Sequence, residues 1–136
     1  KYIDEKSNKI DKNSYTEFHN NDFFEKLLKK NFICFSSIIF DKKKIMTKNI
    51  FDPILRNAED LDLLLNLSRD NTFGYLKEKL TYYRVHKNNL TKFQTKRSFA
   101  EWQYLVFKYC KNKKKIKNYI KKKYIFEKFK KKLNIF

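Results

Sequence analysis

The sequence predicts an α/β fold, and three observations carry that prediction. Two stretches, residues 31–40 and 80–86, are rich in β-branched and aromatic residues and read as strands. Apolar residues at helical spacing lie before, between and after them. With residues 71–76 counted as a third strand, the resulting order is helix, strand, helix, strand, strand, helix, the alternation of an α/β domain. A chain of 136 residues is long enough for one domain with its own core.

The elements follow in order. Residues 1–20 are polar, with a strand end at Tyr2 and Ile3 followed by a loop. "NDFFEKLLKK", 21–30, is a short helix that Asn21 or Asp22 can cap, with Phe23, Phe24, Leu27 and Leu28 on its apolar face. "NFICFSSIIF", 31–40, is apolar on both faces, as expected of a strand covered on both sides, and Ser36 and Ser37 interrupt it. Residues 41–50 form a lysine-rich turn of helix, and Pro53 holds Asp52 extended or in a turn.

"RNAEDLDLLLNL" opens a helix over about 58–70 whose leucines at 61, 63, 64, 65 and 67 cover most of its circumference, so it is buried. Its first turn nevertheless holds Glu59, Asp60 and Asp62. Acids there complement the helix dipole. At the mouth of a buried helix the N-terminus also favours an ionised carboxylate, which suits a general base. Gly74, the only glycine, lies in a turn or strand over 71–76, and "LTYYRVH", 80–86, is a strand with alternating faces. A helix over about 96–110 carries Phe99, Trp102, Leu105, Val106 and Tyr109 as an apolar stripe. The tail, 111–136, forms one more helix with Tyr119, Phe126, Phe129, Leu133 and Phe136 near one face.

The net charge of +18 is mainly a property of that tail. Lysines outnumber arginines 29 to 4, and Lys, Asn, Ile, Phe and Tyr, all with A/T-rich codons, make up more than half the chain. The tail carries twelve lysines and one acid. Three uses remain open for it: a helix packed on the domain, a face attracted to an anionic membrane surface, or salt-sensitive, sequence-blind nucleic-acid binding. Specific nucleic-acid recognition is not expected, because arginines that would read bases bidentately are missing from the tail. Cys34 and Cys110 lack metal-ligand spacing and read as reduced structural thiols. There is no run of transmembrane length and no signal-peptide pattern, so the expected location is cytoplasmic, and peripheral at the inner face of the membrane if the tail is used for attachment.

"NFICFSSIIFDKKKI", "NAEDLDLLLNL" and "FGYLKEKLTYYRVHKNNLT" together resemble the latter half of a family 2 glycosyltransferase of the GT-A fold. Three motifs fall in the family's order and spacing over residues 1 to about 92, and "KYIDEKSNKI" fits the strand that follows the family's donor-site Asp-x-Asp. The resemblance implies a Rossmann-like mixed sheet flanked by helices over residues 1–95, and a helical basic extension over 96–136. It places Asp60 as catalytic base and Glu59 as the group orienting it or the acceptor. It sets His86 and Arg84 near the donor diphosphate, with His86 as a metal ligand and Asn88 and Asn89 beside them, and turns Ser36 and Ser37 toward the acceptor. The implied reaction is inverting transfer of a sugar from a nucleotide-sugar donor to a hydroxyl of a glycan or lipid-linked acceptor, assisted by Mg²⁺ or Mn²⁺, in cell-surface polysaccharide or glycan synthesis.

The sequence also departs from the family. "DLD" at 60–62 has the letters of the metal motif but lies within the acidic helix. Three strands make a small sheet, and the chain begins at Lys1. The expectation is therefore a chain lacking a front half with the donor site and the other metal ligands, inactive alone. The rival expectation is a basic module that attaches to anionic membrane or nucleic acid through residues 111–136 without catalysis. A degenerate relative that keeps the fold without the metal motif is a third.

Overall fold

The computed structural model describes residues 1–11, 20–45, 50–89 and 96–132, without the side chains of residues 20, 113 and 126–132. It is mixed α/β: a small three-stranded sheet and five helices. The helices are α1 (Asn20–Lys29), α2 (Lys42–Ile45), α3 (Glu59–Leu67), α4 (Lys96–Tyr109) and α5 (Lys113–Lys132). The strands are β1 (Tyr2–Ile3), β2 (Lys9–Ile10) and β3 (Tyr83–Arg84).

One core joins α1, α3, α4 and the start of α5. Phe23 and Leu27 of α1, Leu64 and Leu65 of α3, and Leu105 and Val106 of α4 are its most deeply buried side chains. Phe23 and Leu27 lie one turn apart on one stripe of α1, whereas α3 is buried around most of its circumference. Trp102 adds its indole ring and donates Nε1–H to the carbonyl of Leu28 at 2.9 Å, tying α4 to the last turn of α1. Phe23 stacks on Phe73, with ring centroids 4.3 Å apart, so the irregular segment after α3 is pinned to α1.

The sheet has order β2-β1-β3. β1 pairs antiparallel with β2, Tyr2 opposite Ile10 and Ile3 opposite Lys9. It pairs parallel with β3, Tyr2 opposite Tyr83 and Ile3 opposite Arg84. The β1–β2 turn is built by Asp4, whose carboxylate accepts the backbone N–H groups of Lys6 and Asn8. Ser7 takes the left-handed conformation in that turn, φ 69°.

Two strand expectations are corrected. Residues 31–40 are not a strand: they run as irregular chain with a single 3₁₀ turn at Phe35–Ser37. Ser37 Oγ donates to the carbonyl of Cys34 at 2.7 Å, so this serine competes with a ladder for the backbone. Phe32, Ile33, Phe35, Ile38 and Phe40 lie half-buried against the helical core rather than between two layers. Of residues 80–86 only Tyr83 and Arg84 are strand, and residues 71–76 around Gly74 are exposed or half-exposed irregular chain. β2 was not expected at all. The tail helix starts at Lys113, and the expected places of Leu133 and Phe136, and of the Phe126 and Phe129 side chains, lie outside the described residues.

Candidate functional site

The acidic mouth of α3 is held from outside by α4. Ala58 precedes the helix and has no capping side chain. Glu101 of α4 supplies the acceptor instead: its carboxylate takes the backbone N–H groups of Arg56, Asn57 and Ala58, the Asn57 bond at 2.8 Å. Arg97 closes the arrangement, its Nε 2.7 Å from Glu101 Oε1. Burial works to raise the Glu101 carboxyl, but Arg97 and the backbone donors outweigh it and hold the carboxyl below the ordinary glutamate range.

The three first-turn acids meet three different fates. Asp62 is buried at 5 % exposure and lies 2.9 Å from the ammonium of Lys108. It also accepts the Tyr109 hydroxyl at 2.7 Å. Lys108 reaches Asp52 at 3.3 Å, and Tyr104 donates to the same Asp52 carboxylate at 2.9 Å. Burial and the Asp62 carboxylate push the Tyr109 hydroxyl upward, so it stays protonated as a donor. Asp62, Lys108 and Tyr109, with Asn66, Arg69 and residues 50–53, line an open cavity of about 370 Å³. Asp62 is therefore an internal partner of Lys108 rather than a dipole ornament.

Glu59 and Asp60 remain as the acids at the mouth. Oε2 of Glu59 is buried and has no hydrogen-bond partner among the described residues. Asp60 is half-buried, and its carboxylate lies 3.5 Å from the side-chain amide of Asn31. Burial first, and then the neighbouring Glu59 charge, raise the Asp60 carboxyl above the ordinary aspartate range; the Leu61 N–H and Asn31 lower it less. This corrects the expectation that the helix N-terminus would favour its ionised form: desolvation is the larger effect here.

Arg84 is held against the β1–β2 turn, and His86 by the loop that follows β3. Arg84 donates from Nη1 to the carbonyl of Asp4 at 2.8 Å and to Ser7 Oγ at 3.1 Å, so it clamps the β1–β2 turn to β3. The backbone of His86 is held by the Asn89 side chain, and its Nδ1 accepts the Asn88 N–H at 3.2 Å. The hydrogen bonds of Asp60 and those of His86 share no residue. Ser36 and Ser37 are exposed and turn to Cys34, Ser36 Oγ lying 3.2 Å from its sulfur. Among the described residues no three His, Cys, Asp or Glu side chains converge as a cation would require. The described residues thus supply no complete ligand set for the divalent metal implied by the resemblance.

Sequence reasoning missed Glu101, Lys108 and the role of Asp62. A signal existed for two of them: Glu101 falls beside Trp102 and Leu105 on an apolar stripe, and Asp62 is embedded among leucines. An acid in such a place is normally paired. Compared with models of protein families, with curated proteins and with solved structures, the chain matches none.

Proposed function

We propose that this chain carries the acceptor-side chemistry of an inverting glycosyltransferase, with Asp60 as general base. One observation supports the reading most: Asp60, from the second of the three motifs, sits half-buried at a helix mouth beside Asn31, the first residue of the first motif. A carboxyl raised by burial is a stronger base than a solvated one. In the proposed reaction an acceptor hydroxyl attacks the anomeric carbon of a nucleotide sugar. The new C–O bond forms as the bond to the nucleoside diphosphate breaks. Asp60 takes the hydroxyl proton, and Asn31 holds the carboxylate toward the acceptor. Glu59 adds negative charge beside it, which raises its basicity further. Donor groups and any Mg²⁺ or Mn²⁺ are outside what these residues supply.

The test is release of nucleoside diphosphate from a panel of nucleotide sugars, with glycan and lipid-linked acceptors, by the polypeptide as its own reading frame encodes it. Asp60→Asn should reduce transfer by about 10²–10⁴-fold. Helical circular dichroism and donor binding should stay unchanged. Full activity in Asp60→Asn, or no turnover of any donor by the wild type, refutes the reading.

A further inference from the structure

We propose that the outward face of α5 docks on an anionic lipid bilayer. The inference stands on charge and packing, independently of the glycosyltransferase reading. α5 contains eleven lysines and one glutamate over Lys113–Lys132. Its inward stripe is already used: Ile116 is buried in the core, and Tyr119 and Ile120 pack partly buried against it. Lys123 closes this stripe with its ammonium 4.2 Å from the centre of the Trp102 ring. The helix is thus fixed on the domain through residues 116–123, and Tyr119 is not free to enter a membrane.

What remains outward is a lysine field. Lys114, Lys117, Lys121 and Lys122 are all exposed, and none has an ion pair or hydrogen bond among the described residues. Lys115, by contrast, is paired with Glu25. Ile125 is 43 % exposed and lies nine residues after the buried Ile116, which at 100° per residue puts it on the opposite side, amid those lysines. Tyr124 beside it is 58 % exposed.

The chemistry favours lipid over nucleic acid. Lysine ammoniums act as point charges and suit a diffuse layer of headgroup phosphates within a Debye length. Base reading prefers arginine forks, and α5 has no arginine. Tyr124 has a ring that suits either a base or the headgroup boundary, but Ile125 offers nothing to stack on a base. It gains by leaving water for the boundary between headgroups and acyl chains. The geometry is a helix lying along the surface with its apolar stripe turned to its own protein and its charges turned to lipid.

The test is co-sedimentation of the full chain with vesicles of phosphatidylglycerol and phosphatidylcholine, against phosphatidylcholine alone. Each lysine near an anionic surface contributes about fivefold in binding, so Lys114→Glu, Lys117→Glu and Lys121→Glu together should weaken partitioning by a factor on the order of a hundred or more. These side chains are exposed, so the core is untouched. A control with the same charge change, Lys42→Glu, Lys43→Glu and Lys44→Glu in the exposed α2, should weaken it far less. Ile125→Ser should weaken it a few-fold. Equal loss in the two triple variants assigns binding to bulk charge and overturns the proposal. So does equal binding to neutral and anionic vesicles. Binding to a single-stranded RNA oligonucleotide tighter than to anionic vesicles, lost in the α5 variant, gives the face to nucleic acid and overturns it too.

Discussion

Removing the Glu101 carboxylate tests how the mouth of α3 is assembled. In Glu101→Ala the buried N–H of Ala58 loses its acceptor, and an orphaned buried donor costs about 1–3 kcal/mol. The N–H groups of Arg56 and Asn57 belong to exposed residues and regain water, so they add less. The Arg97 partner is mostly exposed, and its ion pair adds about 0–1 kcal/mol. The expected total is about 3 kcal/mol, read as a lower urea midpoint at constant slope. Glu101→Gln keeps the shape and one acceptor oxygen, and should cost about 1 kcal/mol.

A pH series then separates charge from shape. The Glu101 carboxyl is depressed in the fold, so its stabilisation is present above the ordinary glutamate range and is lost as pH falls through the depressed value. The gap between wild type and Glu101→Gln should shrink from neutral pH to about pH 3. A Glu101→Ala protein within about 0.5 kcal/mol of wild type refutes the reasoning, as does a wild type to Glu101→Gln gap that does not change with pH.

Four further outcomes are expected. Asp60→Asn should leave the melting temperature unchanged or higher at neutral pH. A raised carboxyl means that wild-type stability falls as pH rises from the ordinary aspartate range through the raised value, and the amide removes that loss; melts across pH check it. Lys108→Met should cost about 1–3 kcal/mol by leaving Asp62 without its cation, less than for a fully buried pair because Lys108 is a third exposed. Tyr109→Phe should cost about 1 kcal/mol, and the double variant should depart from additivity because both residues share Asp62. Leu64→Ala, at a fully buried position, should cost about 2–5 kcal/mol in urea unfolding.

Much of the helical half was legible because period 3.6 is a local property. The expected helices at 21–30, 58–70 and 96–110 stand as Asn20–Lys29, Glu59–Leu67 and Lys96–Tyr109. The run at 31–40 has no period, and an apolar segment covered on two sides is equally at home as irregular chain against helices. β2 was invisible because Lys9 and Ile10 offer one apolar residue in a polar stretch, and its pairing comes from the Asp4 turn. At the site, the sequence alone marked Asp60 and Glu59 at a helix mouth. It did not reveal which acid the core would claim. That depends on Lys108 and Tyr109, which lie more than forty residues away and meet Asp62 only once α4 is docked.

The parallel pairing of β1 with β3 has a kinetic and exchange consequence. Tyr2 and Tyr83 are eighty-one positions apart in the chain, so their pairing forms only after distant segments have come together. That pairing is a two-residue ladder, the N–H groups of Tyr83 and Val85 on the carbonyls of Lys1 and Ile3, with the Arg84 clamp. The deep apolar burial belongs to the helices. The N-terminal hairpin should therefore detach in a sub-global opening while α1, α3 and α4 stay folded. The Tyr83 and Val85 amides should exchange with deuterium well before those of Leu65 and Val106. In that opened form the Arg84 clamp on the hairpin turn is lost and the mouth of α3 is intact, so Arg84 and the α3 acids have separate lifetimes.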